Sequence, residues 1–169
     1  WNGAFGYPKT SCFFQDRLCF GGSNKQPYVL WMSRTGDYGN FGVEKAGGNV
    51  TDDSAIAKPL VSRKQFKIKH LVASNDLLIL TEGNEWTVSG SDVVTPGNCA
   101  PKAQDTRGSG DCEPLVIGGK IVFVQGRGST VRDMGYSFET DSYGGNDLTL
   151  LAKQIIDGVS IVDSAYKQE

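Results

Sequence analysis

The sequence predicts a mainly β chain: consecutive antiparallel meanders stacked as propeller-like blades, with one short helix near the C-terminus. Three observations predict it. The 169 residues include 22 glycines, nearly twice the usual share, and that density calls for many turns. One phrase recurs three times, an apolar run, a glycine-rich break and a second β run. It stands as DRLCFGGSNKQPYVLWMSR from Asp16, NDLLILTEGNEWTVSG from Asn75 and GGKIVFVQGRGSTVRDMG from Gly118. The run centres, Leu18-Cys19-Phe20, Leu78-Ile79-Leu80 and Ile121-Val122-Phe123, lack polar alternation, so they want apolar cover on both faces. One meander cannot cover itself, whereas stacked neighbours can. The spacing, about 60 residues and then about 43, is near the roughly 40 to 50 of a propeller blade. Short strands with glycine turns also suit a β-sandwich or barrel, and that alternative stays open.

The elements follow in order. Ser11–Phe14 and Arg17–Phe20 pair across Gln15-Asp16, and Tyr28–Arg34 adds a third strand. Thr35–Lys58, rich in Gly, Asp and Asn, reads as a long inserted loop. Ile68–Ala73 and Leu77–Thr81 flank Ser74-Asn75-Asp76, and Glu82-Gly83-Asn84 turns into Glu85–Ser89. Thr95–Gly110 reads as a second long loop. Leu115–Ile117 and Lys120–Gln125 flank Gly118-Gly119, a two-residue hairpin signal because primed turns need φ > 0. Ser129–Met134 completes the third unit. Asn146-Asp147 can cap a helix over Leu148–Ile156, with Leu148, Leu151, Ala152 and Ile155 on one stripe and Gly158 as its stop. Ser160–Tyr166 reads as the first strand of a fourth unit. The whole of 1–169 is taken as one β-rich domain, and its start at Trp1 suggests an excised segment of a larger protein.

The totals narrow the function. A net charge of −2 and a pI near 5.4 argue against a general polyanion-binding surface and leave room for a local basic patch. No apolar run reaches the roughly 20 residues of a membrane span, and no secretory leader is visible. The four cysteines show no CxxC spacing and the single His70 is not near any of them in sequence, so no zinc site and no other cofactor are expected. Cys12 and Cys19 read as small core residues. Cys99 and Cys112 bracket a polar loop, placed to bridge in an oxidising compartment and to stay reduced in a cytosolic one. The Asn49-Val50-Thr51 sequon matters only in a secreted protein.

No catalytic set emerges. A triad would have to use His70, which strand text marks as structural. Asp52-Asp53 reads as turn chemistry more readily than as an acid or metal pair. Gly108-Ser109-Gly110-Asp111 and Gly126-Arg127-Gly128 do not match the phosphate-cradling patterns. Arg34, Lys45, Lys102, Arg107, Arg127 and Arg132 are scattered cations, most simply solvated; of these, Lys102, Arg107 and Arg127 are the candidates to face a ligand or DNA. Trp31 and Trp86 hold matching third-strand positions, where blade packing competes with sugar or base stacking.

Five strings then carry a resemblance: FFQDRLCFGGS from Phe13, WMSRTGDYGNF from Trp31, DDSAI from Asp52, LLILTEGNEWTVSG from Leu77 and YSFETDSYGGNDLTLLA from Tyr136. Together and in this order they resemble the phage and prophage tail nozzle, or tubular tail, structural proteins, over roughly Phe13 to Gln168. The resemblance implies a propeller-bearing, non-catalytic subunit of the virion tail, assembled in the bacterial cytoplasm. It would form a ring with other copies of itself, contact neighbouring tail or connector proteins, and help to wall the tube through which DNA leaves. Contact with that DNA should be weak and non-specific, because tight phosphate contacts would stall ejection. The competing readings are a carbohydrate-binding module using Trp31, Trp86 and Tyr143, and a hydrolase using Asp52 or Asp53.

Overall fold

The structure is a computed structural model that describes residues 3, 6–44, 48–89, 92–126, 129–156 and 158–167. It consists of three four-stranded antiparallel sheets, each laid down in chain order. The first contains β1 (Thr10–Phe14), β2 (Arg17–Gly21), β3 (Val29–Met32) and β4 (Ile56–Pro59). The second contains β5 (Ile68–Ala73), β6 (Leu77–Thr81), β7 (Glu85–Val88) and β8 (Lys102–Asp105). The third contains β9 (Leu115–Ile117), β10 (Lys120–Val124), β11 (Val131–Ser137) and β12 (Ser142–Gly144). The sheets do not close into a barrel. No helix among the described residues is long and apolar enough to cross a membrane.

The apolar middle strands explain the stacking. Strand side chains alternate between faces, and every residue of β6 and β7 is buried. Leu77 and Ile79 join Trp86, Val88 and Leu71 in one cluster with Phe14, Cys19, Leu30, Met32 and Ile56 of the first sheet. Leu78 and Leu80 point the other way and join Val72 in a cluster with Ile121, Phe123 and Met134 of the third. The second sheet is therefore covered on both faces, each face by a different neighbour.

The outer sheets meet the same demand only in part. Leu18, Phe20 and Trp31 on the free face of the first sheet are half-buried. Their cover comes from the loop that follows β3: Phe41 stacks on Phe20 with ring centroids 5.3 Å apart, and Tyr38 meets Phe13 edge-on at 5.1 Å. Buried Arg17 fastens that loop. Its guanidinium donates to the carbonyls of Ser33 (2.8 Å), Ser54 (2.7 Å) and Asp52 (2.7 Å). The turn beside it, Gln15-Asp16, has φ of 46° and 56°, the left-handed pair that a two-residue hairpin requires.

Three expectations need correction. Each meander has four strands: the expected loop Thr35–Lys58 runs into β4, and the expected loop Thr95–Gly110 contains β8. The three missed strands, β4, β8 and β12, are all sheet edges, where Pro59 and the polar Lys102–Asp105 are tolerated because one side makes no ladder bonds. The helix is a single turn, α1 (Lys153–Ile156), with no buried residue. Asp147 instead caps a turn, accepting from the Thr149 N–H at 2.9 Å, and Leu151 and Ile155 of the supposed apolar stripe are 91% and 72% exposed. Without a sheet face to lie on, that stripe gains nothing from being helical. The segment Ser160–Tyr166 forms no strand, and its Ser164 instead donates to the Glu113 carbonyl. Cys99 and Cys112 are free thiols, the former inside the cluster between the first two sheets.

Candidate functional site

Chemistry-bearing side chains collect at the two junctions between sheets. Where β1 meets β5, a cleft of about 550 Å³ is lined by Lys9, Lys67, Lys69 and His70, with Asp111 and Glu113 opposite. β5 places Lys69 and His70 on this cleft, helped by a register irregularity between Ile68 and His70. Lys69 pairs with Asp111 at 2.5 Å and holds that carboxyl below its usual range. His70 Nε2–H donates to the Gly110 carbonyl at 3.0 Å, which fixes the tautomer, and burial pushes the imidazole below its ordinary value. No general base or nucleophile hydrogen-bonds to the described atoms of this histidine, so it ties β5 to the strand-free segment before β9.

The cleft belongs to a longer basic ridge. From Ser54 to Asn75 the chain has no acidic residue and carries Lys58, Arg63, Lys64, Lys67 and Lys69. Arg63, Lys64 and Lys67 are exposed on the β4–β5 connection and have no ion-pair partner among the described residues. Lys9 shares a second, adjacent cavity with Lys67. Arg63 and Lys64 line a further depression with Phe66, whose ring lies over Gly83, leaving no room there for a Cβ.

At the other junction a polar group borders the apolar cluster between the second and third sheets. Glu85, 1% exposed on β7, faces the third sheet beside Asp105, Arg107, Arg132 and Asp133. One of its carboxylate oxygens accepts from the Arg107 backbone N–H at 3.1 Å and the other has no partner. Burial raises its pKa, with the Arg107 hydrogen bond opposing. Gln104 donates to Thr87 and accepts from the Tyr143 N–H, so β8 is stitched to both β7 and β12. Arg132 donates to Gln125 at 2.9 Å, and Gln125 to the Arg107 carbonyl. The junction can hold sheets in register, and it has no opening for a substrate.

The residues singled out from sequence do not converge. Lys102 is exposed on the edge strand β8. Arg107, also exposed, is bound to Asp105 at 2.7 Å. Arg127 and Lys45 lie outside the described residues. Trp86 is buried at 6% between the first two sheets, which removes it as a stacking platform, whereas Trp31 is half-buried on the free face of the first sheet. Tyr143 is packed against the second cluster. Asp53 pairs with Arg34 at 3.7 Å and Asp52 lends its carbonyl to Arg17, so both hold the inserted loop. The described residues contain no group of three or more side chains able to hold a metal.

Sequence reasoning missed Arg17, Glu85 and the ridge. The ridge was findable as an acid-free stretch of 22 residues. Arg17 and Glu85 carried no signal, since a charge within strand text does not disclose which face it takes. Comparison with family models finds no match, and comparison with curated proteins finds none either.

Proposed function

We propose that this chain is part of a structural, non-catalytic component of a phage or prophage tail, a nozzle or connector ring segment beside the DNA exit path. The observation that carries the reading is the co-occurrence of the five tail-type strings, and the stacking of whole sheets through both faces of the middle one supports it. That plan covers both apolar faces of the middle sheet by sheet-to-sheet contact, with polar hydrogen bonds as stitches beside them. The expected partners are other copies in a ring and neighbouring tail or connector proteins, with the virion tail as the location. DNA contact is assigned to the ridge around Lys67, where exposed Arg63, Lys64 and Lys67 gather without an ion-pair partner among the described residues, and not to Arg107, which Asp105 holds, or to Lys102, an exposed cation on the edge strand β8 outside that gathering. Electron microscopy of the full-length parent protein tests the reading. Closed rings are expected, and a protein that stays monomeric at high concentration would overturn it. The carbohydrate-binding alternative loses Trp86 to the core and Tyr143 to the second cluster, which leaves Trp31.

A further inference from the structure

We propose that Cys12 and Cys19 form a disulfide-closing site, a cross-strand dithiol that reacts with small-molecule disulfides of the glutathione class. β1 and β2 are joined by the two-residue turn Gln15-Asp16, and Cys12 stands directly opposite Cys19. In such a hairpin the closing pair, Phe14 and Arg17, exchanges both backbone bonds, and every second pair outward does the same. Cys12–Cys19 is therefore a hydrogen-bonded pair, with Cα atoms about 5.5 Å apart. That separation lies within the range a disulfide spans. Both side chains lie on the face turned towards the second sheet, and the two thiols are within hydrogen-bonding reach of one another.

The pair is asymmetric in a way that assigns roles. Cys12 is half-buried and reachable from solvent, whereas Cys19 is fully enclosed. The Cys19 S–H donates to the Arg17 carbonyl at 3.8 Å, and the Cys12 thiol lies beside it. Contact with the Cys19 thiol shifts the Cys12 pKa below its ordinary value, while contact with Cys12 and burial shift that of Cys19 up. Thiolate attack, and not thiol attack, is the reactive event. Cys12 is accordingly the entry point and Cys19 the resolving thiol.

The chemistry balances with one disulfide as oxidant. The Cys12 thiolate attacks a sulfur of the small disulfide, the S–S bond breaks, and one small thiolate leaves and takes up the proton that Cys12 released. A mixed disulfide now occupies Cys12. Cys19 then attacks the Cys12 sulfur and passes its proton to the second departing thiolate. Two protein thiols are oxidised and one small disulfide is reduced to two thiols. Cys99 lies in the same apolar cluster but on the loop after β7, and Cys112 is remote from it, within 3.5 Å of Ser164 Oγ; neither has a facing cysteine in its register.

The test treats the folded, reduced chain with oxidised glutathione and maps it by mass spectrometry. Tryptic cleavage after Lys9 and Arg17 separates the two cysteines into residues 10–17 and 18–25. The expected result is a two-hydrogen loss in mass, loss of two of four alkylatable thiols, and those two peptides joined. Cys19→Ser should stop at a glutathione adduct on Cys12, Cys12→Ser should gain neither adduct nor crosslink, and Cys99→Ser/Cys112→Ser should still close. A crosslink to Cys99, closure only in denaturant, or a wild-type chain that keeps all four thiols alkylatable would overturn the proposal. If either serine variant fails to fold, the wild-type peptide map decides alone.

Discussion

Arg17 is a buried cation whose hydrogen bonds go to three backbone carbonyls on the loop it fastens. Burial lowers its pKa, but an arginine stays charged at any ordinary pH. Replacing it with alanine strands three carbonyl oxygens and frees the cover of the first sheet. Arg17→Ala should destabilise the fold by about 3 to 5 kcal/mol, read from urea unfolding. Arg17→Lys should recover only part, because an ammonium cannot hold the same forked geometry. Glu85 makes a different prediction. Its folded pKa is raised, mainly by burial, so its stabilising share is present below the unfolded carboxylate value and is lost as pH rises through the folded one. Glu85→Gln should therefore gain stability against wild type at neutral pH, and the gain should shrink on acidification towards pH ~4. His70 works in the opposite sense: its pKa is lowered, again chiefly by burial, so its share holds above about pH 6.5 and fades as pH falls through the folded value. Thermal unfolding of His70→Gln and Glu85→Gln across pH 4 to 8 separates the two.

At the scale of the element, β6 and its counterparts β2 and β10 look alike in sequence and differ in surroundings. Leu77, Leu78, Ile79 and Leu80 are all fully buried, so each change to alanine should cost about 2 to 5 kcal/mol with no alternation along the strand. In β10 the cost should alternate. Ile121 and Phe123 face the second sheet, while Val122 is half-buried on the outer face, and Val122→Ala should cost less than about 1.5 kcal/mol. An unpaired carboxylate at Ile79 should unfold the chain, whereas Val122→Asp should remain soluble and folded. Chemical denaturation of this series checks both. Here the limits of reading the sequence become physical. The apolar runs disclosed the middle strands to within a residue or two, because burial on at least one side wrote itself into composition. The edge strands β4, β8 and β12 did not, because an edge needs only one ladder and tolerates proline, lysine and glycine. The apolar text over Leu148–Ile156 suggested a helix from periodicity, but packing and not periodicity decides whether so short a helix forms.

At the scale of the molecule, repeated meanders stacked face to face follow from the sequence, and the gathering of charge does not. Linear order placed Lys102 and Arg107 in one loop and Arg127 in another turn, while folding brings Lys9 to the side of Lys67. If the ridge meets DNA, the reversals Lys64→Glu and Lys67→Glu should weaken binding of the parent protein to duplex of any sequence. Each lost phosphate contact should flatten the salt dependence by roughly one unit of slope. Lys102→Glu should leave binding unchanged. Fluorescence anisotropy over a salt series distinguishes these outcomes, and an unchanged slope in the Lys67 variant would move the contact elsewhere.

The middle sheet, covered from either side, sets how the chain can come apart. Peeling away the first or third sheet would bare half of β6 to water, so neither flank can detach while the centre stays dry. Loss of order is expected to sweep through all three layers together, and a cut placed between repeats would yield sticky halves, not independent modules.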